Sequence, residues 1–207
     1  MTSPDDPVLP DTLARARALA DPAAVAEHYA AWAERYDHDV FEVAGVTGTE
    51  QIAAVLAGRL SDRLAAVIDL GCGTGRAGVH LREQGFVTVD GIDLSAEMLD
   101  VARRTGAYRH LVVADLNGPL PLAPGTYDAS IAAGLFTSGH LGAGAVASLV
   151  RLVRPGGVLA WVVADPVWTE VEPALRRAGA GPQWIEHTAI RRDGPPEARL
   201  VLARVAA

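Results

Sequence analysis

One short stretch limits what this chain can fold into: a run of apolar residues that contains an acid and then breaks into alternating glycines. Residues 67–75 read VIDLGCGTG. This pattern is typical of a buried strand that turns sharply into a helix. Glycine permits positive φ angles and a close approach of a ligand, and the first turn of the helix presents unpaired N–H groups. The stretch therefore predicts a ligand site at the end of a strand.

The glycine spacing alone leaves two kinds of ligand open. Residues 73–78, GTGRAG, satisfy the G-x-G-x-x-G pattern of dinucleotide-binding loops. Asp93 follows roughly 20 residues later, where such folds place an acid on the ribose. An NAD-dependent oxidoreductase is therefore a remote alternative. Asp69 favours another ligand, because a carboxylate at the strand end suits a cationic amino group better than a pyrophosphate.

Three acidic segments together carry a resemblance to a known superfamily. Residues 69–75 fit D-x-G-x-G-x-G, residues 93–99 fit D-x-S-x-x-M-L, and residues 114–121 are similar to an A-D-L…L-P pattern. In these segments the chain resembles the class I S-adenosylmethionine-dependent methyltransferases. The resemblance implies S-adenosyl-L-methionine as cofactor and S-adenosyl-L-homocysteine as product. The cofactor residues predicted in the core are Asp69, Gly71, Cys72, Gly73, Asp93, Leu94, Met98, Asp115, Leu116, Ala133 and Gly134.

The chemistry of these residues suits the parts of that cofactor. The acceptor-only carboxylate of Asp93 can bind two vicinal ribose hydroxyls. Leu94 and Met98 offer apolar surface beside a purine, although Met98 is equally well explained as a core residue. The resemblance implies that Asp115 accepts from the adenine amino group and that the N–H of Leu116 meets the ring.

The N-terminal segment resembles a narrower group within the superfamily. Asp21 and Pro22 predict the start of a helix that runs to about Tyr36. Residues 29–40, YAAWAERYDHDV, resemble the Y-x-x-W-A-x-x-Y-D-x-D-V leader of the methyltransferase-like proteins of the Williams–Beuren region and their bacterial relatives. This implies that Tyr29 and Tyr36 face the methionine end of the cofactor. The segment therefore predicts a helical lid.

The loop after the fourth predicted strand is the candidate acceptor region. Residues 134–140, GLFTSGH, are similar to the G-x-F-T-x-G-H run of the same bacterial relatives. We expect Phe136, Thr137 and His140 to contact the acceptor, with His38 beside the lid as a further candidate. An unperturbed histidine pKa near 6.5 suits proton removal at neutral pH, so His140 is the candidate general base. The alternative is that His140 positions the acceptor without moving a proton.

The predicted fold is an α/β, seven-stranded Rossmann-like methyltransferase sheet, mostly parallel with an antiparallel last strand. Helices are expected on both faces, with an N-terminal helical lid. We expect a single domain over residues 1–207, with residues 1–45 as the lid segment and 46–207 as the core. Thr47 with Glu50, and Thr169 with Glu172, form capping-box patterns that predict two helix starts. Turn residues at 154–157 are expected before the fifth strand.

Charge and composition restrict the partners. The formal net charge is −7, which argues against a surface that tracks nucleic-acid phosphates. No apolar run approaches a membrane span, and the first residues lack the features of a signal peptide. We therefore expect a cytoplasmic protein without membrane or nucleic-acid partners, as a monomer or homodimer. Cys72 is the single cysteine, and no residue spacing predicts a metal site.

The leading functional prediction is in-line transfer of a methyl group to a small-molecule acceptor, such as a bacterial secondary metabolite. The acceptor atom is not readable from the sequence. A second prediction keeps the cofactor pocket but assigns it to a non-methylating enzyme or a binding module, since a fold does not imply a function.

Overall fold

The computed structural model describes Leu19, residues 21–137 and residues 141–207. The helices are α1 (Pro22–Asp37), α2 (Gly48–Arg59), α3 (Arg76–Glu83), α4 (Ala96–Arg104), α5 (Val146–Val150) and α6 (Asp165–Arg177). The strands are β1 (Val67–Leu70), β2 (Val89–Asp93), β3 (His110–Val113), β4 (Tyr127–Phe136), β5 (Val153–Ala164), β6 (Ala180–Thr188) and β7 (Ala198–Val205). A π-helical segment, His38–Val43, continues α1, and a 3-10 turn, Ala143–Ala145, precedes α5.

The strands form one sheet in the order β3-β2-β1-β4-β5-β7-β6. Strand β7 runs antiparallel to both of its neighbours, and the other pairs are parallel. This confirms the predicted seven-stranded sheet with an antiparallel last strand. The order reverses between β1 and β4, and in open α/β sheets a crevice for ligands forms at the carboxyl ends of the strands at such a point.

Helices cover both faces of the sheet, as predicted. Side chains alternate along a strand, so β1 serves two cores. Ile68 and Leu70 belong to the core that contains α5 and α6, whereas Val67 belongs to the core that contains α2 and α3. All four residues of β1 are buried. The alternation also places Asp69 on the face of Val67, beneath α3.

Two predicted helix starts are correct. The Asp21 carboxylate accepts from the N–H of Ala24 at 3.2 Å, and Pro22 occupies the first helical turn of α1. The Ser95 hydroxyl accepts from the N–H of Met98 at 3.2 Å and caps α4. These caps orient the two helices whose N-terminal ends border the crevice.

The predicted helix start at Thr47 is correct, since α2 begins at Gly48 with Thr47 as its N-cap residue, but neither predicted capping box forms. The Thr47 side chain makes no cap bond to α2, because its hydroxyl accepts from Gln51 Nε2 at 2.8 Å instead. Helix α6 begins at Asp165, with a proline in its first turn, so Thr169 and Glu172 lie inside the helix. Proline fixes φ in the helical range, and it starts this helix ahead of the expected position.

The predicted turn at residues 154–157 lies within β5 as a bulge. From Tyr127 to Ala129 strand β4 advances two residues, while β5 advances from Val153 to Val158. Gly157 allows this, because a Cβ there would lie 2.4 Å from Val153 Cγ1. Residues 1–18 and 20 of the predicted lid segment lie outside the described part of the chain, and the single-domain assignment stays a prediction.

Candidate functional site

A cavity of about 150 Å³, the first cavity, lies at the carboxyl ends of β1, β2 and β4 and against α1. It is the crevice expected at the reversal of strand order. The predicted cofactor residues that line it are Tyr29, Tyr36, Gly71, Gly73, Asp93, Leu94, Met98, Asp115, Leu116, Ala133 and Gly134. The structure therefore brings together most of the residues that the motifs and the N-terminal leader predicted.

Asp93 is held at the wall of the first cavity by backbone donors. Its Oδ2 accepts from the N–H of Gly73 at 2.8 Å and its Oδ1 from the N–H of Ser95 at 3.0 Å. Burial raises the pKa of Asp93, and the backbone N–H groups oppose that rise. A carboxylate has about four lone-pair sites, so it retains room for two hydroxyl donors.

Asp115 and an apolar surface form another part of the same wall. One oxygen of Asp115 accepts from the N–H of Asn117 at 2.8 Å and from its side-chain amide at 3.2 Å. Leu94, Met98 and Leu116 line the cavity as well. An apolar slot with an acceptor at its edge suits a flat base that carries an amino group.

The glycines of the loop and of helix α3 are required for two different reasons. A Cβ on Gly73 (φ 52°) would meet no atom within 4 Å, so this residue faces open space in the cavity. A Cβ on Gly71 would come 2.9 Å from Leu135. On Gly78 it would lie 2.2 Å from the Tyr108 ring. Gly73 therefore leaves room for a ligand, whereas Gly71 makes room for Leu135 and Gly78 for Tyr108.

Asp69 lies beneath the glycine loop and not in the first cavity, which corrects its predicted contact with the cofactor. The residue is 1% exposed, and the Tyr108 hydroxyl donates to its carboxylate at 2.6 Å. The same hydroxyl accepts from the N–H of Gly78 at 3.0 Å. Burial raises the pKa of Asp69 to about 7, against the opposing hydrogen bond from Tyr108. Strand alternation turns the side chain toward α3.

Cys72 is also absent from the residues that line the first cavity, and its contact with the cofactor stays a prediction. The thiol is buried, and a Cβ on Gly91 would lie 2.8 Å from its Sγ. Burial raises the pKa of the thiol well above its ordinary value. Its small side chain fills the space between the loop and β2.

A smaller cavity of about 70 Å³, the second cavity, adjoins the first. The two share Tyr29, Tyr36, Ala133 and Gly134. Helix α1 carries both tyrosines. Trp32 of the same helix packs against Tyr36 at a distance of 4.8 Å between ring centroids. Trp32 Nε1 in turn donates to Asp39 at 2.8 Å.

The predicted acceptor residues divide between the second cavity and other places. Thr137 lines the second cavity. Phe136 is fully buried and stacks on Trp161 at 4.8 Å, so its predicted contact with the acceptor is wrong. His38 lies outside both cavities, with its Nδ1 3.2 Å from Asp39 and its side chain 65% exposed. His140 lies outside the described residues.

Two contacts were not predicted, one made by the N-terminal segment and one within the hairpin that β6 and β7 form. The Thr74 hydroxyl donates to Asp37, which joins the end of α1 to the glycine loop. Arg191 and Glu197 form a two-fold ion pair at 2.7 and 2.9 Å on the wall of the second cavity. Their positions on either side of the proline turn at 195–196 are the only signal that could have paired them.

The Arg76 guanidinium lies over the Phe41 ring at 5.2 Å from its centroid. In residues 21–137 and 141–207, no group of three or more His, Cys, Asp or Glu side chains could hold a metal ion. No helix in the described part of the chain is long and apolar enough to cross a membrane.

Comparison with known proteins identifies the domain. Residues 67–157 match the family model of a methyltransferase domain. The chain is 33% identical over 158 residues to "Methyltransferase-like protein 27" from Homo sapiens, covering 73% of this chain and 63% of that protein. It is 38% identical over 130 residues to "Malonyl-[acyl-carrier protein] O-methyltransferase" from Enterobacter lignolyticus, covering 60% and 48%. The chain thus spans less than two thirds of the length of both curated relatives.

A solved structure with a bound product-like ligand shares the fold. Burkholderia thailandensis 1,6-didemethyltoxoflavin-N1-methyltransferase, with S-adenosylhomocysteine bound, aligns with a TM-score of 0.66 at 22% identity, covering 91% of this chain and 92% of that one. The sheet order and the glycine loop define a Rossmann-like α/β protein with a ligand crevice at its strand ends. Together with the domain match, they assign residues 67–157 to a methyltransferase domain.

Proposed function

We propose that this chain transfers a methyl group from S-adenosyl-L-methionine to a small-molecule acceptor. The observation that carries the proposal is the first cavity, where Asp93 and Asp115 stand beside an apolar slot and a glycine loop. The cofactor carries a sulfonium and an ammonium against one carboxylate, so it is a net cation. Two carboxylates in one wall favour such a ligand by charge as well as by hydrogen bonding.

The residues suit the cofactor part by part. Asp93 would accept from the ribose hydroxyls, and Asp115 would accept from the adenine amino group. Leu94, Met98 and Leu116 supply the apolar surface for the base. Gly73 leaves room for the methionine portion, which the two tyrosines of α1 would face.

The protein's part in the reaction is orientation and exclusion of water. The cofactor supplies an electrophilic methyl group when bound. Holding an acceptor in line with that methyl can contribute roughly 7–11 kcal/mol of the barrier reduction. Ala133, Gly134, Tyr29 and Tyr36 border both cavities, so they would set the line of approach. His140 is the proposed general base for an acceptor that arrives protonated.

The dinucleotide alternative fits the loop less well. A pyrophosphate needs free N–H groups and close backbone approach at the helix start. Here the N–H of Gly73 is bonded to the carboxylate of Asp93. A side chain at Gly75 would meet Ala102 and Tyr108, so that glycine serves packing. The second alternative, a non-methylating enzyme or binding module, shares the same first cavity and must be separated by turnover.

The test is a calorimetric titration of the full chain with S-adenosylhomocysteine, run beside NAD. We expect micromolar affinity for the former and no heat from the latter. A panel of small O-, N-, S- and C-nucleophiles, with a structured RNA for comparison, is then incubated with S-adenosylmethionine. Formation of S-adenosylhomocysteine with a small molecule supports methyl transfer. Binding without turnover of any acceptor favours the binding module, and absence of binding overturns the proposal.

A further inference from the structure

Resting on the proposed function, we propose that the second cavity takes an uncharged acceptor with an apolar body and a hydroxyl or amide group. The apolar body would pack among Val40, Phe41 and Ile190. The polar group would bind the Arg191–Glu197 pair. The pair would therefore select acceptors by charge, a role that the methyltransferase motifs do not assign to any residue.

The two cavities differ in the charges that face them. The charged residues lining the first cavity are Asp93 and Asp115, both acidic. Those lining the second are Arg191 and Glu197, whose charges cancel. The guanidinium is 13% exposed and the carboxylate 29% exposed, so the pair is largely shielded from water. An additional ion there would face a like charge and lose its own hydration.

The pair still has hydrogen-bonding capacity toward a neutral group. Two N–H groups of Arg191 bind the two oxygens of Glu197, at 2.7 and 2.9 Å. A guanidinium has five such donors and a carboxylate about four lone-pair sites, so each partner retains spare positions. A hydroxyl or amide can donate to Glu197 and accept from Arg191 at once. A carboxylate can only accept, and an ammonium can only donate.

Backbone bonds fix the position of the pair. The N–H of Thr47 donates to the carbonyl of Ile190 at 2.8 Å, and the N–H of Arg192 donates to that of Gly45 at 2.8 Å. Val46 and Arg191 form the bridge between these bonds. The arginine is thus held between the N-terminal segment and the hairpin before any ligand arrives, which reduces the entropy lost on binding.

The passage between the cavities lies at Gly134. Its φ is +77°, and a Cβ there would meet no atom within 4 Å. Gly134 also lines both cavities. An acceptor anchored at the pair would therefore extend its reacting atom toward the first cavity past this glycine.

The experiment uses three probes that share one phenyl ring, phenol, benzoate and benzylammonium, with the chain saturated by S-adenosylhomocysteine at pH 7. Affinities are measured by ligand-observed NMR. We expect phenol to bind the unaltered chain about tenfold more tightly than either ion, since a hydrogen bond to a charged group contributes about 1.5–3 kcal/mol.

Two variants should redirect the preference in opposite directions. Glu197→Gln leaves Arg191 uncompensated, so benzoate should gain about tenfold in affinity. Arg191→Gln leaves Glu197 uncompensated, so benzylammonium should gain by a similar factor. Glu172→Gln, which breaks the ion pair with Arg176 on α6, is the matched control and should leave all three affinities unchanged.

The outcomes separate this inference from the proposed function. If the unaltered chain fails to bind S-adenosylhomocysteine, the proposed function fails. If it binds, but no probe binds or benzoate binds as well as phenol, this inference alone is overturned. Unchanged probe preference in a variant that still binds S-adenosylhomocysteine also overturns it. The probe affinities of a variant are interpreted only if the variant still binds S-adenosylhomocysteine. If one variant has lost that binding, the other variant decides.

Discussion

The first cavity is assembled from turns that follow neighbouring strands, whereas the second is closed by segments far apart in the chain. Gly71, Asp93 and Asp115 each lie at or after the end of a strand in the parallel part of the sheet. The second cavity depends on contacts such as that between Gln51 and Ala189, which are 138 residues apart. The first is acidic and the second is balanced in charge.

This difference separates a ligand site that belongs to the fold from one that belongs to the particular chain. Turns at the carboxyl ends of parallel strands meet wherever such a sheet forms. The wall of the second cavity is made where residues 45–47 pair with residues 190–192. Side chains there can be substituted without disturbing the sheet. We infer that the first cavity fixes the cofactor and the second fixes the acceptor.

The largest expected effect comes from removing the Asp93 carboxylate, which is proposed to bind the ribose. In Asp93→Ala the affinity for S-adenosylhomocysteine should fall by about 1,000-fold or more, because two hydrogen bonds to a charged acceptor contribute about 4 kcal/mol together. Calorimetry measures the loss. Asp100→Ala, on the exposed face of α4, is the control and should bind normally. Retained affinity in the first variant would remove Asp93 from the site.

The sequence predicts the first cavity better than the second for a physical reason. Asp93 and Gly73 follow strands whose apolar runs are readable, so their meeting at one edge follows from a parallel sheet. Asp69 was misplaced because strand alternation decides which face a side chain takes, and Tyr108 carries no motif. Phe136 was misplaced because β4 continues into residues that were predicted as a loop and buries the ring against Trp161.

Apart from the proline turn between them, nothing in the sequence paired Arg191 with Glu197. Arg191 and Glu197 lie in a stretch where the resemblance is one of layout only. Their contact depends on how the chain returns from β6 to β7 and on the bridge to Val46. The two capping boxes show the same limit, because the Thr47 hydroxyl binds Gln51 instead of capping α2 and a proline starts α6 ahead of Thr169.

The second prediction concerns the buried acid beneath the first cavity. Because the folded-state pKa of Asp69 is raised from 3.8 to about 7, the folded chain binds more protons than the unfolded chain between these values. Stability should therefore fall as pH rises from about 4 to 7, by about 3–4 kcal/mol for this group, and then level off. Denaturant unfolding across this pH range measures the slope.

Asp69→Asn should remove this part of the slope and make the variant more stable than the unaltered chain at pH 8. The change leaves a side chain of the same shape that can still accept from Tyr108. Asp62→Asn, in an exposed turn, should keep the original slope. An unchanged slope in Asp69→Asn would mean that the acid is ionised in the folded chain at low pH.

The third prediction tests whether Gly78 is a glycine because Tyr108 packs against it. Gly78→Ala should lower the free energy of unfolding by about 2 kcal/mol, since the new methyl would overlap Tyr108 and overpacking costs about 1–3 kcal/mol. Gly58→Ala is the matched control, because this helical glycine has no atom within 4 Å of an added Cβ. It should stabilise α2 by about 0.5–1 kcal/mol.

The smallest expected effect tests the hydrogen bond that joins α1 to the glycine loop. Thr74 is 2% exposed, and its hydroxyl donates to Asp37 at the end of the helix that carries Tyr29 and Tyr36. Thr74→Val keeps the shape and removes the bond, so unfolding free energy should fall by about 1 kcal/mol. Backbone amides of α1 should then exchange about fivefold faster by hydrogen exchange. Thr126→Val, an exposed turn position, is the control.

The location of the faster exchange decides what this bond does. If the faster exchange is confined to α1, the glycine loop orders the helix that borders both cavities. The wall of the second cavity then depends on the wall of the first. Equal acceleration in α5 and α6 would mean that Thr74 contributes only to global stability. Cofactor and acceptor sites would then be independent, and saturation with S-adenosylhomocysteine should leave phenol affinity unchanged. If the second cavity does depend on the first, phenol should bind more tightly to the chain saturated with S-adenosylhomocysteine, because that ligand holds the loop to which α1 is bonded.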